Sequence, residues 1–196
     1  MRIVARKRIA DVPPQRWRNG GGWTRQLLTW PPDDTAWQLR ISLATISAPG
    51  PFSSFPGVQR TLALVGGKGL LLTVDGQEHR LRVDSDPLQF DGAAAAHATL
   101  PGGETTDLNL MTTRGQGTVL RVASAPQWCS AAPQRGLYAA VAGTLDSGTG
   151  AGMAMPAQSL VWLDEAAGLT LRFTPEAAAG PAEPLLAWWL CYAPAS

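Results

Sequence analysis

The chain has 196 residues, of which 45% are hydrophobic and 16% are charged, and its formal net charge is +1. This composition can support a sizeable apolar core, in one large β domain or in two small ones. The low net charge and the lack of a dense Lys/Arg run argue against a surface that binds nucleic acid. No window approaches the roughly 20 apolar residues of a membrane-spanning helix, and the N-terminus lacks the apolar region of a signal peptide. We therefore expect a cytoplasmic protein without nucleic-acid or membrane partners.

The most distinctive segment, Trp17–Arg25, places three consecutive glycines between Asn19 and a Trp-Thr-Arg triplet. Glycine allows positive φ angles and close backbone approach, while Asn, Thr and Arg side chains supply hydrogen-bond donors. The segment indicates a binding loop, although a plain glycine-rich turn between strands fits the motif when it is judged alone. A phosphate cradle is unsupported, because neither Gly-x-Gly-x-x-Gly nor a Lys-Ser/Thr ending occurs and no helical pattern follows.

The remaining sequence predicts a mostly β protein. Glycine (21 residues) and proline (16 residues) interrupt nearly every apolar run, so long helices are not expected, and Glu176–Ala179 predicts at most one helical turn. The spacing of the strands is typical of a sandwich or barrel, with a domain boundary near 115–135. Two similar β units and one elongated sandwich both fit this pattern. The predicted strands are 37–44, 60–65, 70–74, 77–81, 88–90, 95–100, 106–112, 118–123, 138–142, 159–163, 169–173 and 185–192.

A rigid loop rich in proline and phenylalanine, at 49–57, leads directly to an arginine on a buried strand. The phenylalanines, Phe52 among them, can wall a pocket, but core packing alone also explains them. Arg60 shares a strand face with Leu62 and Leu64, which we expect to point inward. An arginine in such a place needs an anionic or carbonyl partner, because an unpaired guanidinium is costly to bury.

Another strand, 106–112, carries polar side chains on one face and leucines on the other. Asp107, Asn109 and Met111 fall on the same face because side chains alternate along a strand. That face can be solvent-exposed, or it can be functional. In the functional interpretation, Asp107 pairs with Arg60 or Arg40 while Asn109 offers its amide to a ligand.

Metal and thiol chemistry find little support in the sequence. The only two histidines, His79 and His97, are 18 residues apart and lack partners at ligand spacing. We therefore expect no metal and no other cofactor. Cys129 and Cys191 are also far apart in the sequence, and we expect both to be reduced structural thiols. The sequence is also compatible with a disulfide between them.

Several motifs together resemble the HutD/Ves family and lie in that family's order. The block Pro-Phe-Ser-x-Phe-Pro-Gly followed by Arg, with Asp-Leu-Asn-x-Met downstream, is hard to obtain by chance. Beyond residue 120 the similarity rests mainly on length and β pattern. The motifs are Trp17–Arg25, Arg40–Ala44, Gly50–Arg60 and Asp107–Thr112.

The resemblance implies a cupin-like fold of double-stranded β-helix or jelly-roll barrels in a bicupin arrangement. The corresponding domains are 1–120, with the ligand pocket, and 121–196, a degenerate barrel. Ser53, Ser54 and Phe55 stand where catalytic cupins carry metal-binding histidines. The family is also linked to bacterial histidine utilisation, which its members are thought to limit by sensing a small carboxylate intermediate.

We therefore expect a metal-free binding protein that modulates histidine utilisation, rather than an enzyme. The partner is expected to be a small anionic metabolite such as formylglutamate, urocanate or a formate-like carboxylate. Arginine offers bidentate geometry to a carboxylate, and asparagine adds an amide contact. The expected ligand-binding residues are Asn19, Thr24, Arg25, Arg40, Phe52, Arg60, Asp107, Asn109 and Met111.

Two alternatives belong to other functional classes. A metal-independent isomerase, lyase or hydrolase of an amino-acid derivative would use Asp107 as general base and Arg60 as oxyanion stabiliser. Its weakness is that an aspartate beside arginines is expected to have a lowered pKa. An interaction module or homodimer would present Trp188 and Trp189 at a surface, although adjacent indoles on a strand more simply pack on opposite faces.

Overall fold

The computed structural model describes residues 1–32, 36–148, 150, 152–176 and 187–195. The expectation of a mostly β protein is confirmed, and all strand pairs are antiparallel. Short 3₁₀ turns occur at Ile9–Asp11 and Val122–Ser124. The strands are β1 (Arg2–Arg8), β2 (Gln15–Arg16), β3 (Gly22–Trp30), β4 (Leu39–Ile46), β5 (Gly50–Pro51), β6 (Gln59–Gly66), β7 (Leu70–Val74), β8 (Gln77–Leu81), β9 (Leu88–Asp91), β10 (Ala96–Thr99), β11 (Thr105–Thr112), β12 (Gln116–Arg121), β13 (Gln127–Cys129), β14 (Gln134–Ala139), β15 (Gly143–Asp146), β16 (Met153–Met155), β17 (Ser159–Asp164), β18 (Thr170–Pro175) and β19 (Ala187–Ala193).

The helical turn predicted at Glu176–Ala179 and the start of the strand predicted at 185–192 fall on residues 177–186, outside the described residues. Within the described ranges, no helix is long and apolar enough to cross a membrane. The glycine-rich segment is only partly a loop, because β3 begins inside it at Gly22.

The chain divides into two compact units, Pro13–Gly115 and Met1–Val12 with Gln116–Ala195. This division differs from the predicted domains 1–120 and 121–196. The first strand, β1, pairs with β17 along its length, with Arg2 opposite Asp164 and Arg8 opposite Ser159. The N-terminal residues therefore complete the C-terminal unit, a long-range pairing that local sequence patterns do not reveal.

The 13–115 unit contains a six-stranded sheet, in the order β2-β3-β4-β11-β6-β9, and a four-stranded sheet, β5-β10-β7-β8. Its apolar core includes Leu62 and Leu64 from the larger sheet together with Leu70 and Leu72 from the smaller one. The prediction that Leu62 and Leu64 point inward is therefore confirmed. Since Arg60 alternates in phase with these leucines, its side chain belongs to the same inner face.

The register of three neighbouring strands fixes which side chains share this inner face. β11 lies between β4 and β6, and residues paired across antiparallel strands project to the same side of the sheet. Three successive cross-strand rows, from β4 through β11 to β6, therefore place polar groups beside the core. The rows are Arg40–Met111–Arg60, Ser42–Asn109–Leu62 and Ala44–Asp107–Leu64.

The other unit is likewise built from two sheets, β1-β17-β14-β19-β12 and β13-β18-β15-β16. Trp189 is buried in its core, stacks on Trp128 with a 5.8 Å centroid separation, and donates from Nε1 to the Ala125 carbonyl at 2.7 Å. Trp188 is also buried and packs against Tyr138. The interpretation of these two tryptophans as an exposed surface is therefore wrong, because both indoles contribute to packing within the chain.

A buried arginine organises the β17–β18 turn of this unit. Arg135 donates from Nη2 to the carbonyls of Ala166 and, at 2.6 Å, of Leu169, and its guanidinium lies 5.4 Å from the Trp128 ring centroid. Backbone carbonyls thus offset part of the cost of burying this cation. The two cysteines are free: Cys129 is exposed and Cys191 is buried.

Candidate functional site

A cavity of about 630 Å³ opens in the 13–115 unit. The residues that line it range from exposed polar side chains at the rim to fully buried side chains. The exposed rim includes Gln15, Arg16, Arg18 and Asn19, and a half-buried middle layer follows. The deepest lining residues are buried: Ser42, Ala44, Arg60, Asp107, Asn109 and Met111.

Eight of the nine predicted ligand-binding residues line this cavity, and Arg25 does not. Side chains alternate along β3, so adjacent residues face opposite sides of the sheet. Thr24 lines the cavity and pairs with Ala44, another lining residue, whereas Arg25 pairs with Leu43. The eight lining residues are Asn19, Thr24, Arg40, Phe52, Arg60, Asp107, Asn109 and Met111.

A hydrogen-bonded relay connects three of the buried polar side chains. Arg60 donates from Nη2 to Oδ1 of Asn109 at 2.9 Å, and Asn109 donates from Nδ2 to Oδ2 of Asp107 at 2.8 Å. The Asn109 amide thus connects the Arg60 guanidinium to the Asp107 carboxylate. The sequence predicted a pairing of Asp107 with an arginine, and the structure places the asparagine between them.

Three phenylalanine rings surround the Arg60 guanidinium. Its central carbon lies 5.1 Å from the ring centroid of Phe52, 5.7 Å from that of Phe55 and 5.0 Å from that of Phe90. These distances are within the range of cation–π attraction, which strengthens when the cation is shielded from water. The rings hold the Arg60 side chain in one position, and the Pro- and Phe-rich loop supplies two of them.

Arg40 is half-buried, between Arg60 and the two exposed arginines of the rim, Arg16 and Arg18, in its degree of exposure. Met111 lies between Arg40 and Arg60 in one cross-strand row, so their backbones are about 9–10 Å apart, two strand spacings. Burial lowers the pKa of both arginines; that of Arg60 falls to about 10, with attraction to Asp107 raising it and repulsion from Arg40 lowering it further. Both remain cationic at neutral pH, and the Nε atom of each has no hydrogen-bond partner among the described residues.

Burial raises the pKa of Asp107 to about 6, although the Asn109 hydrogen bond, the Arg60 charge and the backbone N–H of Asp107 itself lower it. The side chain is fully buried, so desolvation of its charged form outweighs these three interactions. The sequence-based expectation of a lowered pKa is therefore wrong. Within the described part of the chain, Oδ1 of Asp107 has no hydrogen-bond partner, in contrast to Oδ2.

The glycine-rich segment shapes the cavity wall by bringing Trp17 against β3. The indole Nε1 donates to Oγ1 of Thr24 at 2.7 Å, and the ring meets Phe52 edge-on at 6.1 Å. A Cβ atom at Gly22 would lie 2.4 Å from the Thr45 carbonyl oxygen and 3.2 Å from the Trp17 ring. Close approach of the backbone therefore requires glycine at position 22.

Several lining residues were missing from the predicted set. Trp17 and Arg18 belong to the very motif that was singled out, and Ser42 shares the polar strand face with Arg40, so local signals for these three existed. Phe55 was recognisable only as part of a loop that could wall a pocket. Pro51 and Ser53 belong to that same loop, and Ala44 ends the motif that begins at Arg40. No local signal distinguished Gln15 and Arg16.

Metal-ligand side chains do not converge in the described ranges, where no group of three His, Cys, Asp or Glu residues could hold a metal ion. His79 lies on β8 and His97 is exposed on β10, and neither lines the cavity. At the place where the family resemblance locates the histidines of catalytic cupins, Ser53 and Phe55 line the cavity and the Phe55 ring packs on Arg60.

Known proteins share the family motifs and the fold of this chain. A family model described as HutD matches residues 9–179, most of the chain. The chain belongs to the HutD family. This membership confirms the resemblance seen in the sequence motifs and links the chain to histidine utilisation.

Curated relatives align over part of their length. Protein Ves from Citrobacter koseri is 40% identical over 108 residues, which are 54% of this chain and 56% of that protein. An uncharacterised 21.2 kDa protein in the hutC 3′ region of Pseudomonas putida is 36% identical over 107 residues, 53% of this chain and 55% of that protein. The chain thus spans about half the length of these relatives.

Solved structures show the same fold over nearly the whole chain. A conserved protein of unknown function from Pseudomonas aeruginosa has a TM-score of 0.82 at 27% identity, covering 96% of this chain and 98% of that one. HutD from Pseudomonas fluorescens, in a formate condition, has a TM-score of 0.81 at 24% identity, with 98% and 99% coverage. An oxalate decarboxylase from Lactobacillus farciminis reaches 0.61 at 9% identity, covering 97% and 86%. These matches confirm the expected cupin-like fold.

We predict that Gly22→Ala destabilises the 13–115 unit by about 1–3 kcal/mol, because the added methyl group would overlap the Thr45 carbonyl and the Trp17 ring. Gly21→Ala is the matched control, since its Cβ would lie no closer than 3.5 Å to its neighbours. Urea unfolding of the three proteins measures the difference. Equal midpoints for the two variants would contradict the proposed close approach.

We also predict that Asp107 makes stability depend on pH. Because its folded pKa of about 6 exceeds the ordinary value of 3.8, its stabilising contribution is complete below about pH 4 and is lost as pH rises through 6. The free energy of unfolding of the wild type, relative to Asp107→Asn, should fall by on the order of 2–3 kcal/mol between pH 4 and pH 7.

Urea titrations at several pH values measure this difference, with Asp84→Asn as the control. Asp84 is exposed and belongs to the same unit, so its variant should keep the wild-type pH dependence. Parallel curves for wild type and Asp107→Asn would show that Asp107 titrates normally.

Proposed function

We propose that the cavity of the 13–115 unit binds a small carboxylate and that the protein thereby modulates histidine utilisation. The acid is a pathway intermediate such as formylglutamate or urocanate. Arginine side chains, rather than a metal ion, would hold its carboxylate. Their guanidinium groups offer paired N–H donors that match both oxygens of a carboxylate.

The placement of Arg60 beside Arg40 is the observation that carries this proposal. Four arginines line the cavity, Arg16 and Arg18 at its exposed rim and Arg40 and Arg60 further in, whereas Asp107 supplies the single carboxylate among the lining side chains. Arg60 is only 5% exposed and is held by Asn109 and three aromatic rings. An anion between the two guanidinium groups would relieve their mutual repulsion and would be bound by preorganised donors.

The regulatory part of the proposal is supported by family membership. The HutD model matches most of the chain, and the Pseudomonas putida relative lies in the hutC 3′ region. A protein that senses an intermediate needs a binding site that reports its concentration, and the cavity offers such a site. Formylglutamate and urocanate both carry the carboxylate that the arginines would recognise.

Isothermal titration with formylglutamate, urocanate and formate tests the binding function. We expect saturable heat with at least one acid, and at least tenfold weaker binding to Arg60→Met and Arg40→Met, since each loses a charge-assisted contact worth about 1.5–3 kcal/mol. Arg80→Met is the matched control, because the Arg80 side chain is 84% exposed and outside the cavity. Absence of heat with all three acids, for folded protein, would refute the proposal.

A metal-independent enzyme is the second candidate, and the raised pKa of Asp107 favours it. A carboxylate with a pKa of about 6 is a better general base near neutral pH than an ordinary aspartate. Arg60 could stabilise a developing oxyanion. Against this function, the described residues that line the cavity include no histidine or cysteine that could form a nucleophile–base pair.

Proton NMR of each acid incubated with the protein would reveal turnover. If the protein is an enzyme, Asp107→Asn should abolish turnover while acid binding persists, because the amide cannot accept a proton. Asp84→Asn should retain the wild-type rate. Binding of the acids without any chemical change over days would favour the sensor.

A further inference from the structure

We propose that Asp107 determines which carboxylates the cavity accepts, by taking a hydrogen bond through Oδ1 from an N–H or O–H group of the ligand. The site would then prefer acids that carry such a donor a few bonds from the carboxylate over acids of the same shape that lack it. This inference rests on the proposed binding function and assigns Asp107 a role in specificity.

The two oxygens of Asp107 differ in their surroundings. Oδ2 accepts from Nδ2 of Asn109 at 2.8 Å, and this contact fixes the rotation of the carboxyl group. Oδ1 is buried and has no hydrogen-bond partner among the described residues, and Asp107 lines the cavity. A buried acceptor without a partner is unfavourable, so a ligand that supplies a donor gains more than its contact with the arginines alone.

The spacing of the rows gives the size of the acid. Arg60 reaches Asn109, whose row is two residues from that of Asp107 along β11, or about 7 Å of strand. A carboxylate on Arg60 near Asn109 therefore lies on the order of 7 Å from Asp107. Both the imidazole N–H of urocanate and the amide N–H of formylglutamate stand at such a distance from a carboxylate.

The electrostatics of the cavity agree with this role. Arg60 on β6 is the charged group that acts on Asp107, and Asn109 adjoins it on its own strand. The other charged groups that line the cavity are Arg40 on β4, Arg16 on β2 and Arg18. Burial raises the pKa of Asp107 to about 6, so at pH 7.5 the carboxylate is mostly ionised and acts only as an acceptor. A donor on the ligand is the matching partner for that state.

Two ligand pairs that differ only by replacing N–H with oxygen test the proposal by titration at pH 7.5. The pairs are urocanate against 3-(1,3-oxazol-4-yl)acrylate, and formylglutamate against its ester analogue 2-formyloxyglutarate. We expect the N–H member of a pair to bind wild-type protein at least tenfold more tightly than its oxygen counterpart. Affinities within twofold would overturn the proposal while leaving carboxylate binding intact. If no N–H member binds, the proposed function itself fails, and this inference fails with it.

Asp107→Asn assigns the preference to this residue. Because Asn109 Nδ2 is a donor, the new amide must turn its oxygen toward Asn109, and its NH₂ group then replaces the acceptor Oδ1. The preference for the N–H ligand should therefore vanish or invert, whereas Asp84→Asn should keep it. A variant that folds, as judged by circular dichroism, and retains the tenfold preference would overturn the proposal.

A second measurement needs no substitution. The wild-type preference within the formylglutamate pair should shrink as pH falls from 7.5 to 5, because protonated Asp107 no longer offers a free carboxylate. The carboxylates of this pair stay largely ionised over that range. A preference that is unchanged at pH 5 would contradict the role of Asp107.

Discussion

The burial of Arg60 is the constraint around which the cavity is organised. A guanidinium group removed from water is stable only where donors, charges and rings compensate for its lost hydration. Asn109 accepts one hydrogen bond from Arg60 and donates another to the Asp107 carboxylate. The rings of Phe52, Phe55 and Phe90 pack around the guanidinium. These contacts come from the loop at 49–57, from β9 and from β11, segments that are far apart in the sequence, so the site forms only when the sheet does.

The same strands build the core and the site. Leu62 and Leu64 continue the inner face of β6 beyond Arg60 and pack in the apolar core of the 13–115 unit. This continuity makes the polar groups rigid, because a shift of one residue in register would move both the leucines and Arg60 to the other face. Rigid placement lowers the entropy that binding would otherwise lose, which suits recognition of a small acid.

Local patterns predicted much of this architecture. Alternation identified the inward face of Arg60, and the spacing of Asp107, Asn109 and Met111 placed them on one side of a strand. The patterns missed several strands, among them β1, whose basic sequence becomes a strand by pairing with β17, and β3, which starts inside the glycine-rich motif. In both cases the partner strand decides the structure, and its contribution is invisible in the local sequence.

The sequence by itself determined the β class, the family motifs and the residue types that could meet a carboxylate. Tertiary structure alone decided that Arg25 faces away from the cavity, that Asn109 bridges Arg60 and Asp107, and that the pKa of Asp107 rises. The physical reason is that pairing register and desolvation are properties of the assembled sheet. Residue identity determines which charged groups are present, whereas burial determines how strongly each charge interacts with its neighbours and how far its pKa shifts.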